Sequence, residues 1–166
     1  RVTFKVIPDE TVASLALENG ELDIAILRAA ETYEQLKANP NLVVDATPGT
    51  SVRVLAMNTA SPPFDDVHVR QAVAHAINKD EIVEIALAGT VARTDNVFGP
   101  TTFGYTSDVR IYEYNPDKAK QLLAEAGYPD GFEVTLYFST LSPWPDIVPI
   151  LKANLDAVGI KVTLEG

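Results

Sequence analysis

The sequence contains no cysteine, which excludes disulfides, thiolate metal sites and cysteine nucleophiles together. It has no apolar run of the roughly 18 residues that a helix needs to cross a bilayer. Cations are scarce: 13 Lys and Arg against 23 Asp and Glu leave a formal net charge of −10. With no basic stripe to neutralise phosphates, neither nucleic acid nor an anionic membrane surface is an expected partner. No initiator Met, signal peptide or lipobox precedes Arg1. The chain starts inside one strand-like run and stops just after another, so it reads as a fragment of a longer protein.

What is present is ample material for a core. The 166 residues are 46% hydrophobic and 22% charged, with mean hydropathy +0.05. That balance rules out a disordered, collagen-like or low-complexity chain and suits one domain or two small lobes.

Periodicity predicts an α/β order. Val2–Ile7 is a β-branched and aromatic strand pattern. Pro8 and Asp9 then open a helix with Val12, Leu15, Ala16 and Asn19 on one face, closed by Gly20. Leu22–Leu27 is the apolar run expected of a strand buried on both faces of a parallel sheet, completing a βαβ unit. A helix over Ala29–Ala38 ends at Asn39-Pro40, and Leu42–Ala46 reads as a short strand. After a turn at Pro48-Gly49, Ser51–Thr59 alternates strictly, with Arg53, Leu55 and Met57 opposite Val52, Val54 and Ala56. Asp65 and Asp66 stand where helix caps belong, before Val69, Ala72, Val73, Ala76 and Ile77. A joint at Asn78–Asp80, capped by Asp80, leads through Ile82, Val83, Ala86 and Leu87 to Gly89. No period is sustained from Thr90 to Glu113. Asn115-Pro116 supplies the cap and first position of a further helix that ends at Gly127. Strand Glu133–Phe138, helix Pro145–Val158 and strand Ile160–Leu164 form a second βαβ unit. The pattern predicts two α/β lobes joined near Ser51–Pro63.

Catalytic signatures are missing: there is no Gly-x-Ser-x-Gly, His-Glu-x-x-His, Ser-x-x-Lys or Walker A loop. His68 and His75 lie two turns apart on one helix, about 10 Å, too far to share a metal. Glu81 and Glu84 read as a solvated helix face. Two places leave a functional and a structural reading open. Trp144 lies after a strand at a helix N-terminus, where open α/β sheets face their ligand, with Ser139, Thr140 and Ser142 nearby; it is equally placed to pack as a lid. The aromatic stretch Phe98–Tyr114 can line a pocket or cover a sheet.

The run Asn58-Thr-Ala-Ser-Pro-Pro-Phe-Asp-Asp-Val-His-Val-Arg-Gln-Ala-Val-Ala-His-Ala-Ile-Asn-Lys-Asp-Glu-Ile-Val83 resembles the signature region of the family 5 extracellular solute-binding proteins. These are the oligopeptide-, dipeptide- and nickel-binding components of ABC importers. Ile7-Pro-Asp-Glu-Thr, Leu17-Glu-Asn-Gly-Glu-Leu-Asp-Ile24, Asn115–Phe132 and Leu151–Val162 agree in order, so the resemblance covers nearly the whole chain.

The resemblance implies a two-lobed, type II periplasmic-binding-protein-like α/β fold, incomplete here. Residues 1–50 would end the first lobe, 51–59 would be a crossing hinge strand, and 60–166 would begin the second lobe. It implies a non-catalytic protein that is periplasmic or extracellular. Such a protein captures small peptides or a similar solute by hinge closure and hands it to ABC permease subunits. Its only membrane association would be peripheral, through a missing N-terminal anchor. The hinge strand of peptide binders offers the ligand its backbone edge and an aromatic. The matching positions here are Leu55, Met57 and Asn58, without the tyrosines of some peptide binders. The loop Gly99–Tyr105 matches a cleft-facing loop. The expected ligand-contacting residues are therefore Leu55, Met57, Asn58, Phe103, Tyr105, Ser139 and Trp144; no cofactor, metal ligand or catalytic residue is expected. The competing readings are a hydrolase or transferase with its catalytic residues elsewhere, and a solute-sensing receptor on the same fold.

Overall fold

Asp9 and Gly20 bracket the first helix, α1 (Glu10–Glu18), as their side-chain chemistry requires. The Asp9 carboxylate accepts the Val12 N–H at 3.0 Å, and Gly20 takes the left-handed φ of +74°. The second helix, α2 (Ala30–Lys37), starts at Ala29, which has no side chain able to cap it. Glu10 does so instead, accepting the N–H groups of Arg28 and Ala29 at 2.6 and 2.8 Å. An acid eighteen and nineteen residues upstream thus ties the two helices together. Leu36 is fully buried.

This computed structural model describes residues 1–46 and 49–166, so Pro48 of the expected turn lies outside the described residues. Contacts divide the chain into two units, Arg1–Thr47 and Pro48–Gly166.

In the first unit the sequence expectations are corrected in two ways. Val12 and Leu15 of the supposed inner face of α1 are half exposed, while Ser14 and Ala16 are buried. Helical periodicity identifies a stripe but not what lies against it. More consequentially, Val2–Ile7, Leu22–Leu27 and Leu42–Ala46 form no ladder, so the first βαβ unit is absent among the described residues. Ile24 and Ile26 are each 83% exposed. A strand exists only against a neighbour that takes its N–H and C=O groups. These segments have the side-chain pattern of strands, but among the described residues none pairs into a ladder.

The second unit follows the reading closely from residue 60 onward. Helix α3 (Val67–Ala76) is capped by Asp66, whose carboxylate accepts the His68 N–H at 2.7 Å. The next cap is Asn78 rather than the expected Asp80: its side chain accepts the Glu81 N–H at 3.2 Å, opening the single turn α4 (Lys79–Glu81). The chain then widens into a π-helical turn, Ile82–Ala86. Residues 90–113 carry no regular element. Helix α5 (Pro116–Glu125) starts under an Asn115 cap with Pro116 in its first turn and is followed by Gly127 at φ +88°.

Strand β1 (Phe132–Tyr137), helix α6 (Trp144–Asp156) and strand β2 (Ile160–Glu165) make the second βαβ unit. The strands are parallel, with Phe132 opposite Ile160 and Leu136 opposite Leu164. Val69, Ala72, Val73 and Ala76 of α3 meet Ala119, Leu122 and Leu123 of α5, with Leu155, Ile160 and Val162 beneath. The small residues of α3 let α5 approach closely. Each fully buried aliphatic side chain here contributes about 2 kcal/mol of hydrophobic transfer free energy. A second cluster joins Ala86 and Leu87 to Ile147 and Leu151. Glu81, read as solvated, instead accepts a hydrogen bond from Asn154 of α6 at 3.1 Å.

Candidate functional site

The seven expected contact residues fall into three groups. Segment 51–59 runs without a ladder partner among the described residues. Its alternation is realised on one side: Leu55 and Met57 are half buried against the α3–α5 core, while Val54 and Ala56 are exposed. The side chains of Leu55 and Met57 thus face their own unit. The exposed part of this segment is its main chain together with Arg53, Val54 and Ala56. Asn58 builds a turn, accepting the Ala60 N–H and donating to the Ser61 hydroxyl, both at 3.1 Å.

Ser139 and Trp144 flank the N-terminus of α6. The Ser139 hydroxyl accepts the Leu141 N–H at 3.2 Å, and the Trp144 ring packs on the Ala86–Leu87–Ile147–Leu151 cluster. The nearby Ser142 hydroxyl is buried without a hydrogen-bond partner.

Phe103 and Tyr105 are different. Phe103 is fully exposed and Tyr105 is 40% exposed, in a stretch that also exposes Val97 and Phe98. The loop bearing them is nevertheless built. Asn96 donates from Nδ2 to the Thr106 carbonyl at 2.7 Å, closing a circuit over residues 96–106. Its own side-chain oxygen accepts the Phe98 N–H at 3.1 Å. Thr101 donates its hydroxyl to the Gly49 carbonyl at 3.3 Å. Gly99 lies against the same backbone, where a Cβ would come within 3.1 Å of that carbonyl oxygen. At the far end, Nδ1 of His75 and the Glu113 carbonyl are 2.7 Å apart, and Asn115 N–H donates to the His75 carbonyl at 2.8 Å. The His75 ring meets Tyr112 edge-on at 5.4 Å. His75 is therefore a loop anchor, and His68 pairs locally with Asp66 at 3.0 Å.

The base of the loop carries charges that the motif reading missed. Arg93 Nη1 donates to Asp80 Oδ2 at 2.9 Å, Arg93 Nη2 lies 3.3 Å from Asp95, and Lys79 donates to Asp95. Burial works to raise the Asp95 pKa, but the Lys79 hydrogen bond and charge and the Arg93 charge outweigh it and hold the carboxyl below its ordinary value. Lys79 and Asp95 are sixteen residues apart; no local spacing rule relates them. Among the described residues no cluster of His, Asp and Glu is arranged to hold a metal ion.

Two hollows accompany these features. One of about 90 Å³ lies between Ile77, Lys79, Arg93 and Tyr112. Another of about 70 Å³ separates Leu55–Met57 from Val134, Thr135 and Leu136 of β1. Both are smaller than the several hundred Å³ typical of a small-molecule site.

Comparison with known proteins gives these features a family. Heme-binding protein A of Haemophilus influenzae is 32% identical over 166 residues, covering 97% of this chain and 30% of that protein. The glutathione-binding protein GsiB of Salmonella typhi is 33% identical over 164 residues, 98% of this chain and 32% of that protein. Among solved structures, the periplasmic binding protein DppA of Helicobacter pylori, in complex with the peptide STSA, superimposes with a TM-score of 0.87 at 36% identity. That match covers 97% of this chain and 31% of DppA. The chain thus spans about a third of the length of the relatives it matches, and its fold class is that of the type II periplasmic binding proteins, as the resemblance implied. These relatives are binding proteins. Residues 1–166 match the middle part of bacterial extracellular solute-binding proteins, family 5, and the chain belongs to that family.

Proposed function

We propose that this chain is part of the substrate-binding component of an ABC-type importer. That component is non-catalytic and captures a short peptide or similar small solute between two lobes. Closure about a hinge follows from the ligand's higher affinity for the closed form, and the loaded protein delivers its solute to membrane permease subunits. Residues 1–50 end the first lobe, 51–59 cross the hinge, and 60–166 begin the second lobe. The protein works in the periplasm or outside the cell, with any membrane attachment confined to an N-terminal anchor.

The observation that carries this reading is the superposition of 97% of the chain on a binding protein that holds the peptide STSA. Two local features fit a peptide. Segment 51–59 has strand-like alternation and no ladder partner among the described residues, so its backbone is available for β-augmentation. Phe103 and Tyr105 stand exposed on an anchored loop, where aromatic faces supply contact area with few rotors to immobilise. Asn58, Ser139 and Trp144 complete the proposed surface, with Leu55 and Met57 contributing main chain.

The test is to purify the intact protein from rich medium, denature it, and identify the released small molecules by mass spectrometry. Recovery of a set of short peptides is expected. A single non-peptide solute, such as a haem or a metal chelate, would keep the family and overturn the substrate.

A further inference from the structure

Phe103, at the exposed tip of the 90–113 loop, has no apolar packing that would fix its position, since it touches solvent all round. Beside the Thr101 hydrogen bond to the Gly49 carbonyl, what orders the loop acts at its base. There, one guanidinium joins three segments: Arg93 pairs with Asp80 of α4 at 2.9 Å, with Asp95 at 3.3 Å, and with Glu113 at the loop's other end at 3.7 Å. Lys79, also on α4, pairs with Asp95 from the opposite side. The Arg93 and Asp95 side chains are only 26% and 14% exposed. Water therefore screens them less than a surface pair, and their geometry is shared among several partners rather than resting on one.

We propose that Lys79, Asp80, Arg93, Asp95 and Glu113 form a positioning device that holds the loop in one arrangement, so that Phe103 and Tyr105 meet the ligand already ordered. Arg93 and Asp95 are its central positioning residues. The inference rests on the reading of Phe103 and Tyr105 as ligand contacts. A loop of more than twenty residues has many arrangements, and fixing it only upon binding would cost affinity. Joining both ends of the loop to one helical turn removes most of that freedom beforehand. Hydrogen bonding between Asn96 and Thr106 then closes the distal half.

The experiment uses the intact protein with Arg93→Gln, Arg93→Lys, Phe103→Ala and Tyr105→Ala variants. It combines hydrogen exchange over residues 96–106 with titration by the peptide Ser-Thr-Ser-Ala. Arg93→Gln is expected to raise loop exchange about tenfold and weaken peptide binding about tenfold, while exchange in α3 and α5 stays as in the wild type. Arg93→Lys, which keeps the charge and loses the fork, should recover part of both. Salt at about 1 M should raise loop exchange more in the wild type than in Arg93→Gln, which keeps only the Lys79–Asp95 pair, a difference that a merely space-filling arginine would not produce. Unchanged loop exchange in Arg93→Gln overturns the proposal, as does raised exchange with wild-type peptide affinity. Should the wild type not bind the peptide, or Phe103→Ala and Tyr105→Ala bind it undiminished, the ligand reading itself fails and takes this proposal with it.

Discussion

Asp156, the last residue of α6, accepts the backbone N–H of Val162 in β2 at 3.0 Å. The same carboxylate pairs with Lys152 at 2.8 Å, and Lys152 donates in turn to the Val162 carbonyl at 2.5 Å. One helical acid–base pair therefore occupies both main-chain groups of a residue in the middle of β2. A further strand would otherwise have use of those groups, so the sheet can grow past β1 but is obstructed past β2.

Replacing Asp156 by Ala is expected to lower stability by about 1–2 kcal/mol, because a charge-assisted acceptor of a strand N–H is lost. Asp156→Asn, which keeps an acceptor, should lose less. Urea midpoints followed by circular dichroism measure both, and equal losses would show that a neutral acceptor contributes nothing and the charge carries the effect.

Asn154 is a buried staple. It accepts the Asn78 N–H at 2.7 Å and donates to Glu81 at 3.1 Å, linking α6 to the α3–α4 joint. Asn154→Leu fits the space but strands an N–H and a carboxylate, and should cost about 2 kcal/mol. A urea midpoint matching the wild type would mean that water replaces the amide without loss.

Two glycines with positive φ should behave differently. At Gly131 (φ +78°) an added Cβ would lie 2.0 Å from the Gly159 carbonyl oxygen, where β1 and β2 begin side by side. Gly127, at φ +88°, has nothing within 4 Å. Gly131→Ala should cost about 3 kcal/mol or more, through enforced movement of two strands. Gly127→Ala should cost only about 1 kcal/mol, the penalty of the left-handed conformation. Similar thermal midpoints for the two variants would refute the steric account.

Acid should loosen the 90–113 loop before it melts the helices. The folded-state pKa of Asp95 is depressed, so its contribution is present above the ordinary value of 3.8 and is lost as pH falls through the depressed one. The charges that face it are Lys79 and Arg93. Hydrogen exchange of residues 96–106 along an acid titration checks this, and loop and helix transitions that coincide would contradict it.

The unpartnered strand-like segments carry a further consequence. Val2, Phe4, Val6, Ile24 and Ile26 are exposed apolar side chains on backbone without ladder bonds, a surface prone to pair with another copy. This 166-residue chain on its own should self-associate as concentration rises. Light scattering coupled to size exclusion measures it, and a strict monomer at high concentration would count against it.

Helices α1, α2, α3, α5 and α6 were legible because their signals are local. Asp9, Asp66 and Asn115 cap within three residues of themselves, and Gly20 and Gly127 terminate by their own backbone freedom. The second βαβ unit was legible for a related reason, since its two strands and helix lie within 34 residues, Phe132–Glu165, and each element finds its partner there. The cap at Asn78 was misplaced to Asp80 because both residues have capping side chains two positions apart, and only the packing of α6 against the joint selects between them.

The contact residues divide along the same line. Alternation in Ser51–Thr59 holds over Val54–Met57, where Leu55 and Met57 face their own core, but breaks before it, since Val52 is half buried and Arg53 exposed; which face is buried is a property of what lies opposite. The ion-pair cluster around Arg93 had no signature at all, because its members come from α4 and both ends of the loop. What the sequence by itself determined is the order of helices, their caps, and a family resemblance carried by contiguous motifs, all written in neighbours along the chain. Which strand-like segments become strands, which face of 51–59 is open, and how an irregular loop is held were decided by tertiary structure. Ladder hydrogen bonds, burial and ion pairing each need a partner that sequence distance does not specify.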